Sequence, residues 1–407
     1  MTSRRRGVGS ITSYTTKAGQ RWRWQLWVPI DPTTSESTLR QTGKAGYRTA
    51  TEADDALQDA RRKLRAHGRL SKRGAPTIGE YVEEWLDGLS LEASTIEGYR
   101  KITRNHVVPQ LGTVRLDKLT ATTLAKHYRA LQDHGRRDTK KPGAGLSANT
   151  VQKVHVLIGA MLDAAIDDGH VVVNVAKKRR TVQAPTGKQV RAQKPEIHAW
   201  TAEELRRFLE WDRDEYEDDL YPLWHVYAHT GMRRSEALAL RWSDVDLRTG
   251  RVLLRRAADT TRRDATKLTK TGIARPIPID AATVAVLRAW KATRGSIALS
   301  LARADAYVFG DDAGRLRKPD DIGRRWEHRV RRAREALGAD SMPRITLHGL
   351  RHTHATLMLE LGEHPKVVQE RLGHSNISTT MNIYSHVSPT MQQSAADRFG
   401  ALMGGAS

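Results

Sequence analysis

The sequence predicts a multidomain chain, mainly α-helical with small β-sheets. It divides into a sheet carrying one helix over residues 1–72, a helical domain over 76–180, a basic linker over 181–196 and an α+β domain over 197–407. Three observations predict this. A length of 407 residues fits two or three domains. Hydrophobic residues at 39% against charged ones at 28% supply enough apolar material for several buried cores and exclude a disordered chain. The apolar spacing is alternating in the first segment, helical in the second and mixed after Trp200.

In the first segment, Trp22, Trp24, Leu26 and Val28 alternate with Arg23, Gln25 and Trp27, the period of a half-buried strand. Gly9 to Thr16 and Ser37 to Tyr47 read as flanking strands. Thr51 opens a helix with Ala56, Ala60 and Leu64 on one face. The run SKRGAP (71–76) is a short linker. After it, Thr77 with Glu80, Ser94 with Glu97 and, later, Thr201 with Glu204 have the spacing of capping boxes that open helices. Leu124, Tyr128 and Leu131 form one apolar stripe. Val151, Val154, Ile158, Met161, Leu162 and Ala165 form another, which predicts a four-helix domain. The run Lys177-Lys178-Arg179-Arg180 leads into polar, proline-containing sequence that reads as extended. Beyond it the pattern predicts a helix from Thr201, another from Leu220 to His229, strands near Arg251–Arg256 and Lys267–Ile279 with a hairpin turn at Lys270-Thr271-Gly272, and helices to the end.

Composition narrows function. The 68 Lys and Arg against 46 Asp and Glu leave +22, with a pI near 10.3. Residues 1–75 are the most basic per residue, with 16 basic against 6 acidic side chains. Such a field suits a polyanion whose counterions are released on binding, so nucleic acid is the expected partner. Arg21 and Arg23 on the sheet and Lys177, Lys178, Arg179 and Arg180 are the candidate DNA contacts, and a three-stranded sheet can enter a major groove. The absence of cysteine excludes disulfides, Cys-type zinc sites and thiol chemistry. With no run of 18 apolar residues and a polar start, no membrane insertion or secretion is expected, and a cytoplasmic, nucleoid-associated protein is.

Gly43-Lys44 and Gly187-Lys188 lack the rest of a phosphate loop. His348 and His352 lack the glutamate of a zinc-protease helix, because Gly349 follows His348. Neither cofactor nor metal is expected. The carboxy-terminal segment instead concentrates groups suited to a phosphate. His348 and Arg351, at i and i+3, share a face of a helix otherwise buried through Leu350, Leu357, Met358 and Leu361. Arg233 follows an apolar helix, Gly373-His374 ends another, and Tyr384 comes ten residues later.

The blocks HTGMRRSEALALRWSDVD, LTKTGIARPIPI, ITLHGLRHTHATLML and ERLGHSNISTTMNIYSHV resemble, in order and separation, the signatures of the tyrosine recombinases of the phage-integrase type. The resemblance implies a catalytic domain over about 197–400, a core-binding domain in the helical segment and an arm-binding domain at 1–72. It makes Arg233 and Arg351 the active-site arginines and Glu236 the carboxylate supporting the first. Lys270 becomes the hairpin lysine, His348 and His374 the active-site histidines, and Tyr384 the nucleophile.

The residue types fit that chemistry. A phenol of pKa near 10 is a weak nucleophile at pH 7, and two arginine forks can neutralise a pentacoordinate phosphate without a metal. His348 is the candidate proton acceptor, with His374 a phosphate donor, although the sequence leaves open which histidine takes the proton. Lys270 would protonate the leaving 5′-oxygen. A 3′-phosphotyrosine conserves the phosphodiester energy, so rejoining needs no ATP. The resemblance also implies double-stranded DNA with core and arm sites, and a homo-tetramer on paired sites in which the apolar tail (Met391, Phe399, Leu402, Met403) docks on a neighbour. An excisionase and a host DNA-bending protein are the implied accessory partners, and integration of a viral genome or other mobile element the implied role. A type IB topoisomerase and a non-catalytic DNA-binding regulator of the same fold are the two alternatives.

Overall fold

The computed structural model describes residues 9–29, 39–67, 75–137, 143–193, 198–262, 264–269, 272, 274–384, 396–397, 399–401 and 403. The chain divides into two compact units, Met1–Lys194 and Pro195–Ser407.

The first unit begins with an antiparallel sheet of Gly9–Thr16, Gly19–Pro29 and Leu39–Tyr47, with the second strand in the middle. The register shifts opposite Trp22 and Arg23, where Gly46 is the extra residue and takes φ +103, a conformation that glycine adopts without a Cβ clash. One face packs Leu26 and Val28 against Leu57, Ala60 and Leu64 of the helix Ala50–His67. The buried stripe of that helix is Ala53, Leu57, Ala60 and Leu64. The expected Ala56 lies only half-buried beside it, because the stripe runs one residue further along the helix.

Next come Ile78–Asp87, Ala93–Ile102, Ala121–His134 and Ala148–Asp167. The second of these continues through a π-helical turn, Thr103–Val107, into Val108–Leu111. The two predicted apolar stripes are buried in their shared core. Thr77 caps its helix as a box with Glu80, whereas Ser94 does not cap: the N-cap is Glu92, and Ser94 already lies in the first turn. The stretch read as extended is folded in part. Thr186 and Gln189 box the short helix Gly187–Ala192, Val182 is buried, and the Gln193 side chain accepts from the Ala148 backbone N–H at 2.7 Å. Tertiary contacts thus order polar residues that have no apolar period of their own.

The second unit is built on an aromatic core in which Trp200, Phe208, Trp224 and Trp326 meet with ring centroids 5.0–5.8 Å apart. Around it lie the helices Ala202–Asp214, capped by the Thr201–Glu204 box, Tyr221–Thr230, Ala281–Ile297 and Pro319–Leu337. Leu347–Glu360, Pro365–Leu372 and Ile377–Tyr384 follow. Val245–Asp246, Arg251–Leu254 and Arg275–Pro278 form one antiparallel sheet, and Arg256–Ala258 with Thr266–Leu268 form a two-stranded one. The strand expected over Lys267–Ile279 is therefore two strands in different sheets. Gly272, at φ +67 and donating to Thr269 O, turns the chain between them rather than at a hairpin tip. No helix among the described residues is long and apolar enough to cross a membrane.

Candidate active site

The site forms where two helices end. Tyr221–Thr230 and Pro365–Leu372 each stop at a left-handed glycine, Gly231 (φ +61) and Gly373 (φ +67), which leaves last-turn carbonyls pointing away from the helix. These ends carry the negative pole of the helix dipole and attract cations. Arg351, on Leu347–Glu360, spans them: Nη1 donates to Gly231 O at 2.6 Å and Nη2 to Leu372 O at 2.8 Å. It is 2% exposed. Burial, then the neighbouring Arg233 charge, pushes its guanidinium down to about 10, which still leaves it a cation at neutral pH. The same helix buries Leu350, Ala355 and Leu359, while Leu357 and Met358 are half-buried and Leu361, expected inside, is exposed past the helix end.

Arg233 precedes the short helix Arg234–Leu238, and the i, i+3 spacing turns Glu236 back onto it. Glu236, itself buried, accepts from Arg233 N at 2.8 Å and from Arg233 Nη1 at 2.7 Å. Arg233 Nη2 donates to Gly373 O at 2.5 Å. The two predicted arginines therefore bond to the adjacent carbonyls of Leu372 and Gly373, with their like charges held side by side.

Both histidines lie in this positive field. His348 is exposed one turn before Arg351 and meets His352 edge-on, centroids 4.7 Å apart. Partial desolvation, then the charges of Arg351 and Arg233, hold its imidazole below the ordinary range. His374 is half-buried directly after Gly373, its Nδ1 2.9 Å from Thr380 Oγ1. Burial, then Arg351 and Arg233, lower it to about 3, so it is neutral at pH 7. A Thr380 hydroxyl donating to Nδ1 fixes the Nε2–H tautomer of His374. Tyr384 closes Ile377–Tyr384, and its side chain lies outside the described residues, as does Lys270 altogether.

Several supporting groups lie inside the family-like blocks, but their spacing gives them no role. Arg275 donates to Glu236 Oε2 at 3.1 Å. Arg371 donates from Nε to His354 Nε2, from Nη1 to Pro278 O and from Nη2 to His229 O, pinning the end of its helix to the strand and to the first helix. His354, buried and lowered to about 3 chiefly by burial, has Nδ1 2.9 Å from Ala228 O. Most of these partners are backbone carbonyls or residues far along the chain, so no periodicity marks them.

The candidate DNA contacts belong to the first unit. Arg23 is exposed on the central strand and donates to Thr12 Oγ1 at 3.0 Å, and Arg21 is half-buried two residues earlier. Lys177 pairs with Asp163 at 2.8 Å, and Lys178, Arg179 and Arg180 are exposed beside it.

The pattern of the phage integrase family matches residues 198–391, and that of the phage integrase N-terminal SAM-like domain matches 77–132, together more than half of the chain. A protein of Caldanaerobacter subterraneus described as tyrosine recombinase XerC-like is 24% identical over 348 residues, covering 80% of this chain and 83% of its own. The ICEBs1 integrase of Bacillus subtilis is 26% identical over 267 residues, 64% of this chain and 67% of its own. Among solved structures, the Tn1549 transposon integrase in complex with transposon right end DNA has the same fold. It aligns with a TM-score of 0.64 at 19% identity, over 80% of this chain and 100% of that one. A lambda integrase dimer bound to a COC′ core site aligns at 0.56 and 16% identity, over 91% and 93%.

Proposed function

The chain belongs to the phage integrase family of tyrosine recombinases and is by class a site-specific DNA recombinase; from that premise we propose that it integrates and excises DNA through a 3′-phosphotyrosyl intermediate on Tyr384. The Tyr384 oxygen attacks the scissile phosphorus, the bond to the 5′-oxygen breaks, and the phenolic proton passes to His348. Lys270 gives a proton to the leaving 5′-oxygen, and a second 5′-hydroxyl later reverses the step. Arg233 and Arg351 hold the non-bridging oxygens, and His374 adds a donor.

The observation that carries this reading is the convergence of Arg233 and Arg351 on the single turn Leu372–Gly373. Two guanidinium groups held together against their repulsion form a site that an anion stabilises. The same turn begins the segment leading through His374 to Tyr384. Core DNA would be held by the helical domain with Lys177 to Arg180, and arm DNA by the sheet bearing Arg21 and Arg23. Two duplex sites per protomer would raise avidity. The homo-tetramer on paired sites, the excisionase, the host bending protein and the nucleoid location are parts of the same proposal.

Labelled duplex from the flanks of the encoding gene, incubated in excess EDTA with wild type and with Tyr384→Phe, tests it. A protease-sensitive covalent adduct from wild type alone is expected. An equal adduct from Tyr384→Phe would remove Tyr384 from the role. Relaxation of any supercoiled plasmid would favour a topoisomerase, and binding without an adduct a regulator.

A further inference from the structure

A third arginine stands beside the pair already described. Arg275 opens the strand Arg275–Pro278, its side chain is 17% exposed, and Nη2 donates to Glu236 Oε2. Its guanidinium also fills the space a side chain at 373 would need: a Cβ on Gly373 would lie 1.6 Å from Arg275 Nη1 and 2.6 Å from Cζ. The group is thus wedged between the carboxylate that anchors Arg233 and the turn whose carbonyl receives Arg233 Nη2.

The charges explain why an arginine sits there. Glu236 fixes Arg233 but also cancels its charge, and a neutral pair would be a poor partner for phosphate. A second cation on the other carboxylate oxygen offsets Glu236 and leaves the charge of Arg233 uncompensated beside that of Arg351. Arg275 Nε is buried with no hydrogen-bond partner among the described residues, and burial lowers its pKa. Its position is therefore not one chosen to satisfy the guanidinium. With Nη1 against Gly373 and Nη2 on Glu236, both ends of its fork are engaged by the protein.

We propose that Arg275 is a positioning residue of the recombination reaction, holding Glu236 so that Arg233 stays aimed and uncompensated, and tying the strand that follows Lys270 to the Leu372–Gly373 turn. The inference rests on the recombinase reading above. The test compares wild type, Arg275→Lys and Arg275→Met on the same flanking duplex, measuring the single-turnover rate of adduct formation at saturating DNA, DNA affinity and thermal midpoint. For Arg275→Met the expected result is a rate about a hundredfold lower with affinity within about threefold of wild type, since backbone contacts dominate binding. Arg275→Lys, which keeps the charge, should recover at least about a tenth of the wild-type rate. An unchanged rate in Arg275→Met would overturn the inference. So would a joint fall of rate, affinity and midpoint that lysine does not repair, since that is the signature of a structural role alone. A wild type that forms no adduct would overturn the recombinase reading itself, and this inference with it.

Discussion

Replacing Glu236 by alanine should destabilise the second unit by about 3 kcal/mol and release Arg233. The carboxylate is buried and accepts three donors: Arg233 N, Arg233 Nη1 and Arg275 Nη2. A hydrogen bond to a charged group contributes about 1.5–3 kcal/mol, and stranding a buried cation costs about 3–5 kcal/mol. Arg233 is 41% exposed, so water screens its share, and the larger part of the loss comes from Arg275, at 17%. Together these place the change near the lower end of the buried-pair range. Urea unfolding followed by tryptophan fluorescence should show the midpoint falling with the slope unchanged. On the proposed role of Arg233, adduct formation should fall about a hundredfold, because the freed guanidinium loses its fixed aim. Glu236→Gln, which keeps one acceptor oxygen, should lie between. In a double-mutant cycle with Arg275→Met, the two losses should overlap by at least about 1 kcal/mol. A Glu236→Ala protein within about 0.5 kcal/mol of wild type and cleaving at the wild-type rate would refute the reasoning, since Arg233 would then be held by something else.

Two further outcomes are expected. Gly231→Ala puts a Cβ at φ +61 and within 2.6 Å of both His354 Cδ2 and Leu372 Cδ2, so urea titration should show a loss of about 2–3 kcal/mol together with weakened cleavage, and a loss under about 1 kcal/mol would count against the packing described. Acid should destabilise the unit through His354 and His225, buried and lowered to about 3 and about 4, because their contribution is complete above pH 6.5 and is lost as the unfolded chain takes up protons below it. Asp212, raised to about 7 chiefly by burial, acts in the opposite sense. From pH 7.5 to 5.5 these two histidines remove about 3 kcal/mol, the half-buried His374, lowered to about 3, removes up to about 1 more, and Asp212 restores about 2, so wild type should lose about 1–2 kcal/mol and Asp212→Asn about 3–4, and equal losses in the two proteins would show that Asp212 is not protonated on folding.

Much of the fold was legible in the sequence because it depends on neighbours along the chain. The stripe of Leu124, Tyr128 and Leu131, the alternation around Leu26 and the boxes at Thr77 and Thr201 each involve residues within a turn or two. The same holds in the candidate site, where Arg233 with Glu236 and His348 with Arg351 follow helical spacing. Ser94 fits the capping pattern equally well and fails, because the N-cap is set by where the incoming chain bends, here at Glu92. The helix Gly187–Ala192 has the same box spacing, Thr186 with Gln189, but no apolar stripe, and a contact with Ala148, far away in sequence, helps to order it.

The sequence by itself determined the element types, the basic field and the residue types available for phosphate chemistry, since these depend on side-chain chemistry and on spacing of a few residues. Only the tertiary structure decided that Arg351 would bridge Gly231 and Leu372, that Arg275 would share Glu236 with Arg233, and that Arg371 would clasp His229 and Pro278. The physical reason is that most of the acceptors are backbone carbonyls. A carbonyl is the same in every residue, so nothing in the sequence marks which one will meet an arginine until the helices that end at Gly231 and Gly373 have packed together.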